Sequence, residues 1–199
     1  MLIGLIRHGQ TEWNALGRIQ GQTDIPLSEE GRRQAEALAN RLVHESQKWD
    51  AVISSSLQRA HETARIIADR LALPLLAPDD RLNERYFGQV EGTTIEERLS
   101  RWGENWRQAD AGQESDKAVR ARGMAFIEEW RTSRPETRLL VVSHGSFLAQ
   151  LLQEMCGQLD DGHLGNMSFS ILAYEDRTEG GAAWKPLLHN CSLHLQETR

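Results

Sequence analysis

The chain is predicted to be an α/β protein, a three-layer α/β/α sandwich around a mostly parallel central sheet. Three observations predict this. Short apolar runs of strand length, Leu2–Ile6, Ala51–Ile53 and Leu139–Ser143, alternate with longer stretches of helical periodicity. Each of these runs ends in a polar segment, as buried parallel strands do where they present groups at their carboxyl ends. Two later runs, Ser168–Tyr174 and Ala183–Leu188, read as strands that close the sheet. With 199 residues, 39% apolar and 26% charged, one domain covering 1–199 suffices to build the core.

The elements follow in order. Leu2–Ile6 is a buried strand ending at Arg7-His8-Gly9, and Gly9 to Leu27 reads as loop. Ser28 opens a helix as its N-cap. Glu29 and Glu30 suit the positive end of the dipole, and Ala35, Leu38, Ala39 and Leu42 repeat at helical spacing, with an end near Ser46. After the strand Ala51–Ile53, the residues Ala60, Ala64, Ile67, Ala68 and Leu71 mark a helix over 57–71, and Pro74–Leu76 is expected as a further strand. Residues 79–115 lack a strong core period and contain Gly88, Gly92, Gly103 and Gly112. They read as a long excursion with one or two short helices, lid-like over about 84–115. Asp116–Trp130 is a helix, Leu139–Ser143 the clearest buried strand, and Gly145–Met155 the helix after it.

Composition excludes several classes. The formal net charge of −6 disfavours a broad nucleic-acid-binding face. No apolar run reaches the roughly 18–20 residues of a membrane span, and the N-terminus lacks a signal-peptide pattern, so a soluble cytoplasmic protein is expected. Cys156 and Cys191 form neither a CxxC pair nor a disulfide framework. Lys48, Lys117 and Lys185 stand against a score of arginines, whose planar forks suit bidentate contacts to anions.

His8 and His144 occupy equivalent places, each directly after a strand and each followed by glycine. If both strands are central and parallel, the two imidazoles meet at one sheet edge, where glycine lets a ligand approach backbone. Ser54-Ser55-Ser56 ends another strand at the same edge and leads into a helix whose first turn carries Arg59. Arg7 and Arg59 could then grip one anion, helped by free N–H groups at the helix start. A lone histidine at a strand end is usually structural, and a lone Arg59 usually a surface ion pair. Arginines beside both histidines disfavour a metal ion, and no GxSxG elbow marks a serine hydrolase. The consistent chemistry is phosphoryl transfer to imidazole, with no metal and no cofactor.

The run Arg7-His8-Gly9-Gln10-Thr11-Glu12-Trp13-Asn14 closely resembles the signature of the histidine phosphatase superfamily, in its phosphoglycerate-mutase-like branch. Ser54-Ser55 with Arg59, Thr63 and Ala64 resembles a second block. Leu82-Asn83-Glu84 with Phe87-Gly88 and Glu91-Gly92 resembles a third, and Val141–Gly145 a fourth, in the family's order. The resemblance implies a phosphoglycerate-mutase-like fold and His8 as the nucleophile that becomes phosphohistidine. It also implies that Arg7, Arg59 and His144 surround the phosphoryl oxygens and that Glu84 is general acid and then base. Without it, Glu84 reads as a loop residue paired with Arg81 or Arg85. By the same resemblance Asn14, Gln20, Gly21 and the backbone at Gly145 support the phosphate, while Arg85, Tyr86 and Phe87 meet the rest of the substrate.

The implied function is a phosphatase for small phosphorylated metabolites. The runner-up is a cofactor-dependent phosphoglycerate mutase, because Arg81-Leu82-Asn83-Glu84-Arg85 is particularly similar to the mutases. Against it, Glu91–Ser115 offers only Arg98, Arg101 and Arg107, without a lysine or an adjacent arginine pair. A non-catalytic member would have lost one of Arg7, His8, Arg59, Glu84 or His144, and all are present. Specificity is expected in residues 84–115 and in the loop 157–167. Oligomeric state is not legible.

Overall fold

A computed structural model describes residues 1–157, 159, 163–175 and 183–196. Five strands, β1 (Leu2–Arg7), β2 (Ala51–Ser54), β3 (Arg138–Ser143), β4 (Phe169–Glu175) and β5 (Ala183–Cys191), form one sheet in the order β2-β3-β1-β4-β5. The helices are α1 (Glu12–Ala15), α2 (Glu29–His44), α3 (Gln58–Leu71), α4 (Ile95–Trp102), α5 (Asp116–Ser133) and α6 (Gly145–Cys156). One face of the sheet packs on α2 and α3 through Leu38, Leu42, Ala64 and Ile67, and the other on α5 and α6 through Phe126, Ile127, Phe147 and Leu151. This is the predicted α/β/α sandwich. No helix among the described residues is long and apolar enough to cross a membrane.

The sheet is more mixed than expected. The β1–β3 and β2–β3 ladders are parallel, but β1–β4 and β4–β5 are antiparallel. The cause is where the chain re-enters. After α6 it returns to the edge at which β1 ends, so that Phe169 at the start of β4 pairs with Ile6, and β4 can only run back along β1. Pro74–Leu76 is not a strand. It makes a single bridge, Leu75 to Val52, at the border of β2.

Helix ends obey the expected chemistry. Ser28 accepts from Gly31 N at 3.1 Å and caps α2. The excursion contains α4, capped by a Thr94–Glu97 box, and three turns of 3-10 helix, at Asp80–Leu82, Gly88–Val90 and Trp106–Gln108. It carries a small core of its own: Val90, Trp106 and Ala111 are buried against Ile19, Phe87 and Trp102. Arg98, itself buried, lies 4.8 Å from the Trp106 ring centroid, and Arg107 lies 4.4 Å from it.

Candidate active site

Strand register brings the two histidines together. Arg7 pairs with Ser143, so the next residues, His8 and His144, sit side by side on adjacent parallel strands, and His8 N donates to Ser143 O at 2.9 Å. Their ring centroids are 5.1 Å apart. The β2 end is aligned too, since Ser55 N donates to Val142 O at 3.1 Å. The loop after His8 lies directly on the start of α2, because Gly9 and Gly31 have no side chains. A Cβ on Gly9 would run into Gly31 O, and one on Gly31 into Gln10 O.

The state of His8 follows from its partners. Gly9 O, which can only accept, lies 2.7 Å from Nδ1, so Nδ1 carries the proton and Nε2 the lone pair. Arg59 Nε donates to that Nε2 at 3.3 Å. Burial, followed by the charges of Arg59 and Arg7, holds the His8 pKa well below 6.5, so the ring is neutral at neutral pH.

Arg59 is fully buried on α3, and its other nitrogens donate to Gly21 O at 2.6 Å and Thr23 O at 3.0 Å. Burial lowers its pKa to about 10, with Glu84 and Asp24 opposing, which leaves it cationic. Arg7 is held by Leu164 O, and its Nε has no partner among the described protein groups. Gly145 lies against that guanidinium, where a Cβ would come within 3.2 Å of Nε. At the start of α3 two N–H groups are already taken, Leu57 N by Ser55 Oγ at 3.1 Å and Gln58 N by Asp24 at 2.8 Å.

The start of α6 holds Glu84. Ser146 N and Phe147 N donate to the carboxylate at 3.1 and 2.8 Å, and Arg85 N adds a third bond at 2.9 Å. His144, the N-cap of α6, is fully buried. Its Nε2 bonds Ser55 Oγ at 2.7 Å and its Nδ1 has no partner among the described residues. Burial first, then Arg59, His8, Arg7 and Arg122, hold its pKa well below 6.5.

These groups border a cleft of about 630 Å³. Of the predicted residues, Arg7, His8, Arg59, Glu84 and Gly145 line it, as do Asn14, Gln20, Gly21, Arg85 and Phe87. His144 is not itself among the lining residues, but its ring centroid lies 5.1 Å from that of His8, which is. Tyr86 is 48% exposed and is not among the residues that line the cleft. Gln20 Oε1 is buried without a partner beside the anion-binding groups. Arg85 is paired with Asp116.

Sequence reasoning missed several supports. Glu91 gathers Gln22 N, Thr23 N and Phe87 N, each at 3.0 Å, and Thr23 Oγ at 2.6 Å, pinning the loop whose carbonyls hold Arg59. Asn166 donates to His8 O and Asn14 Oδ1, both at 3.1 Å. Met167, in the left-handed region at φ +56°, donates its N–H to Arg7 O at 3.1 Å. Only Glu91 had a signal, its place in the third block. Of the loop 157–167, residues 158 and 160–162 lie outside the described residues.

The two imidazoles, the Arg7 and Arg59 guanidiniums and the Glu84 carboxylate converge at one end of the sheet, an arrangement chemically suited to an anionic oxygen group. The profile of the histidine phosphatase superfamily (branch 1) matches residues 3–185, and the chain belongs to that family. It is 33% identical over 194 residues to the uncharacterized phosphatase PhoE of Bacillus subtilis (strain 168), covering 96% of this chain and 95% of the relative. It is 35% identical over 193 residues to the probable phosphoglycerate mutase GpmB of Yersinia pestis (strain Pestoides F), covering 90% and 88%. Among solved structures, the mycobacterial glucosyl-3-phosphoglycerate phosphatase in complex with VO3 superimposes with a TM-score of 0.84 at 30% identity, covering 96% of this chain and 99% of that one.

Proposed function

We propose that the chain is a metal-independent phosphatase that hydrolyses small phosphomonoesters in the cytoplasm through a phosphohistidine on His8. The observation that carries this reading is the unprotonated Nε2 of a neutral His8, aligned by Gly9 O and in contact with Arg59, in a cleft lined by arginines.

In the first step His8 Nε2 attacks phosphorus as the ester P–O bond breaks, and Glu84 in its acid form gives a proton to the leaving oxygen. Arg7, Arg59 and His144 stabilise charge on the equatorial oxygens, with Asn14, Gln20 and the Gly21 and Gly145 backbone as further contacts. In the second step the Glu84 carboxylate takes a proton from water as it attacks phosphohistidine, releasing phosphate and the free imidazole. The three N–H donors on Glu84 suit the carboxylate that this step requires. Arg85 and Phe87 meet the organic part of the substrate, and residues 84–115 form the wall that selects it.

The test is covalent trapping. Acid quenching with a radiolabelled phosphomonoester present is expected to leave acid-labile label on the wild type and none on His8→Ala, which stays folded by circular dichroism. Acid-stable label on the chain would refute the scheme.

A mutase reading has the GpmB likeness and the segment 81–85 in its favour. Of Arg98, Arg101 and Arg107, however, only Arg107 lines the cleft, while Arg98 is buried over Trp106 and Arg101 lies by Trp102. Phosphate retained on glycerate and stimulation by 2,3-bisphosphoglycerate would reverse the order.

A further inference from the structure

We propose that Ser55 and Asn83 are positioning residues that lock His144 in the Nε2–H tautomer, so that the site must take up a proton on His144 when it binds an oxyanion. This rests on the oxyanion reading of the cleft, but it does not require turnover.

The hydrogen bonds around Ser55 have one consistent polarity. Ser56 N, which can only donate, lies 3.1 Å from one side-chain atom of Asn83, so that atom is the carbonyl oxygen Oδ1. Ser55 Oγ lies 2.8 Å from the same oxygen and therefore gives its single proton to it. Ser55 Oγ also receives Leu57 N at 3.1 Å. One lone pair remains for His144 Nε2 at 2.7 Å, and Nε2 must be the donor. In the neutral ring Nδ1 then carries no proton, and no group among the described residues bonds it.

A bare ring nitrogen repels an anionic oxygen, whereas a protonated one donates to it. The titratable and charged groups around His144 are Arg7 and the neutral His8 at the end of β1, Arg59 from α3, Arg122 from α5 and Glu84 held at the first turn of α6, with Asp80 at the far end of the relay. The cations keep the unliganded ring neutral. A bound dianion reverses that balance, and Nδ1 gains a proton.

Sulfate is the probe, because it has no titrating proton near neutrality and any proton uptake belongs to the protein. Calorimetry in buffers of differing ionisation enthalpy is expected to show close to one proton taken up per sulfate bound, with affinity falling about tenfold per unit between roughly pH 6 and 8. Spectra of chain labelled with nitrogen-15 histidine should show His144 as Nε2–H when unliganded and doubly protonated with sulfate. Ser55→Ala removes the acceptor and lets the ring carry its proton on Nδ1. Asn83→Ala frees the Ser55 hydroxyl to donate to Nε2 and has the same effect. Both variants should bind sulfate with much less uptake and a flatter pH profile. A purely structural role would shift melting temperature or affinity while leaving the proton count unchanged. Full uptake in both variants, no uptake in the wild type, uptake assigned to His8, or an unliganded Nδ1–H ring would each overturn the proposal. Failure of sulfate to bind would remove the oxyanion site and the proposal with it. A normal proton count in a chain without phosphatase activity would support the relay while refuting the proposed function.

Discussion

Glu91 lies outside the reacting groups, yet its replacement by Gln should reach them through one loop. Its Oε1 accepts Gln22 N and Phe87 N, and its Oε2 accepts Thr23 N and Thr23 Oγ. In Glu91→Gln the amide oxygen can keep one pair, but the NH2 group then faces the Thr23 N–H, donor against donor. Two bonds to a charged acceptor are lost or weakened, and the loss in stability should be about 2–3 kcal/mol. For a chain of this length that lowers the melting temperature by roughly 5–10 °C. The chemical effect follows because Thr23 O and Gly21 O hold the Arg59 guanidinium, whose Nε meets His8. Misplacement of that group should cut kcat/KM for p-nitrophenyl phosphate by about 10- to 100-fold. Thermal melts and steady-state kinetics on the purified variant measure both. A variant that melts within about 2 °C of the wild type and retains half its kcat/KM would show that the carboxylate does not hold the loop.

Three further outcomes follow from the same geometry. Glu84→Gln should slow hydrolysis of alkyl phosphates far more than of p-nitrophenyl phosphate, whose leaving group scarcely needs a proton, and equal losses on both would remove Glu84 from the acid role. Because burial and the charges of Arg59 and Arg7 hold the His8 pKa well below 6.5, its nucleophilic form persists as pH falls through the ordinary histidine range. The kcat/KM profile should therefore lack an acid limb near 6.5, and a His8 resonance titrating there would contradict this. His194, buried and near Arg41, has its pKa lowered from 6.5 to about 4, so the unfolded chain binds the extra proton first. Its contribution is present above pH 6.5 and is lost progressively down to about 4, at most about 3 kcal/mol in total. His194→Phe should flatten that part of the stability curve in denaturant titrations at several pH values, and an unchanged slope would exclude it.

Much of the layering was legible because it rests on local rules. The apolar runs at 2–6 and 139–143, the Ser28 cap and the alanine-leucine spacing of α2 each follow from nearest neighbours along the chain. Histidine-glycine after two central strands was legible for the same reason, since a parallel register carries equivalent positions to one edge. Less visible was everything set by a return of the chain. The direction of β4 depends on where residues 163–168 bring it back, which no periodicity encodes. Tyr86 does not line the cleft while Arg85 and Phe87 do, a distinction for which an irregular segment gives no pattern.

The amino-acid sequence by itself determined the candidate reacting groups and the strands that carry them, because strand and helix signals act over a few residues. Only the tertiary structure decided which proton sits on which ring nitrogen, which helix start holds Glu84, and which carboxylate pins the loop beneath Arg59. Those properties arise from hydrogen bonds between residues dozens of positions apart, such as Ser55 to His144 and Glu84 to Phe147. A donor's partner is chosen by what the fold brings within about 3 Å, and the order of residues along the chain does not specify that distance.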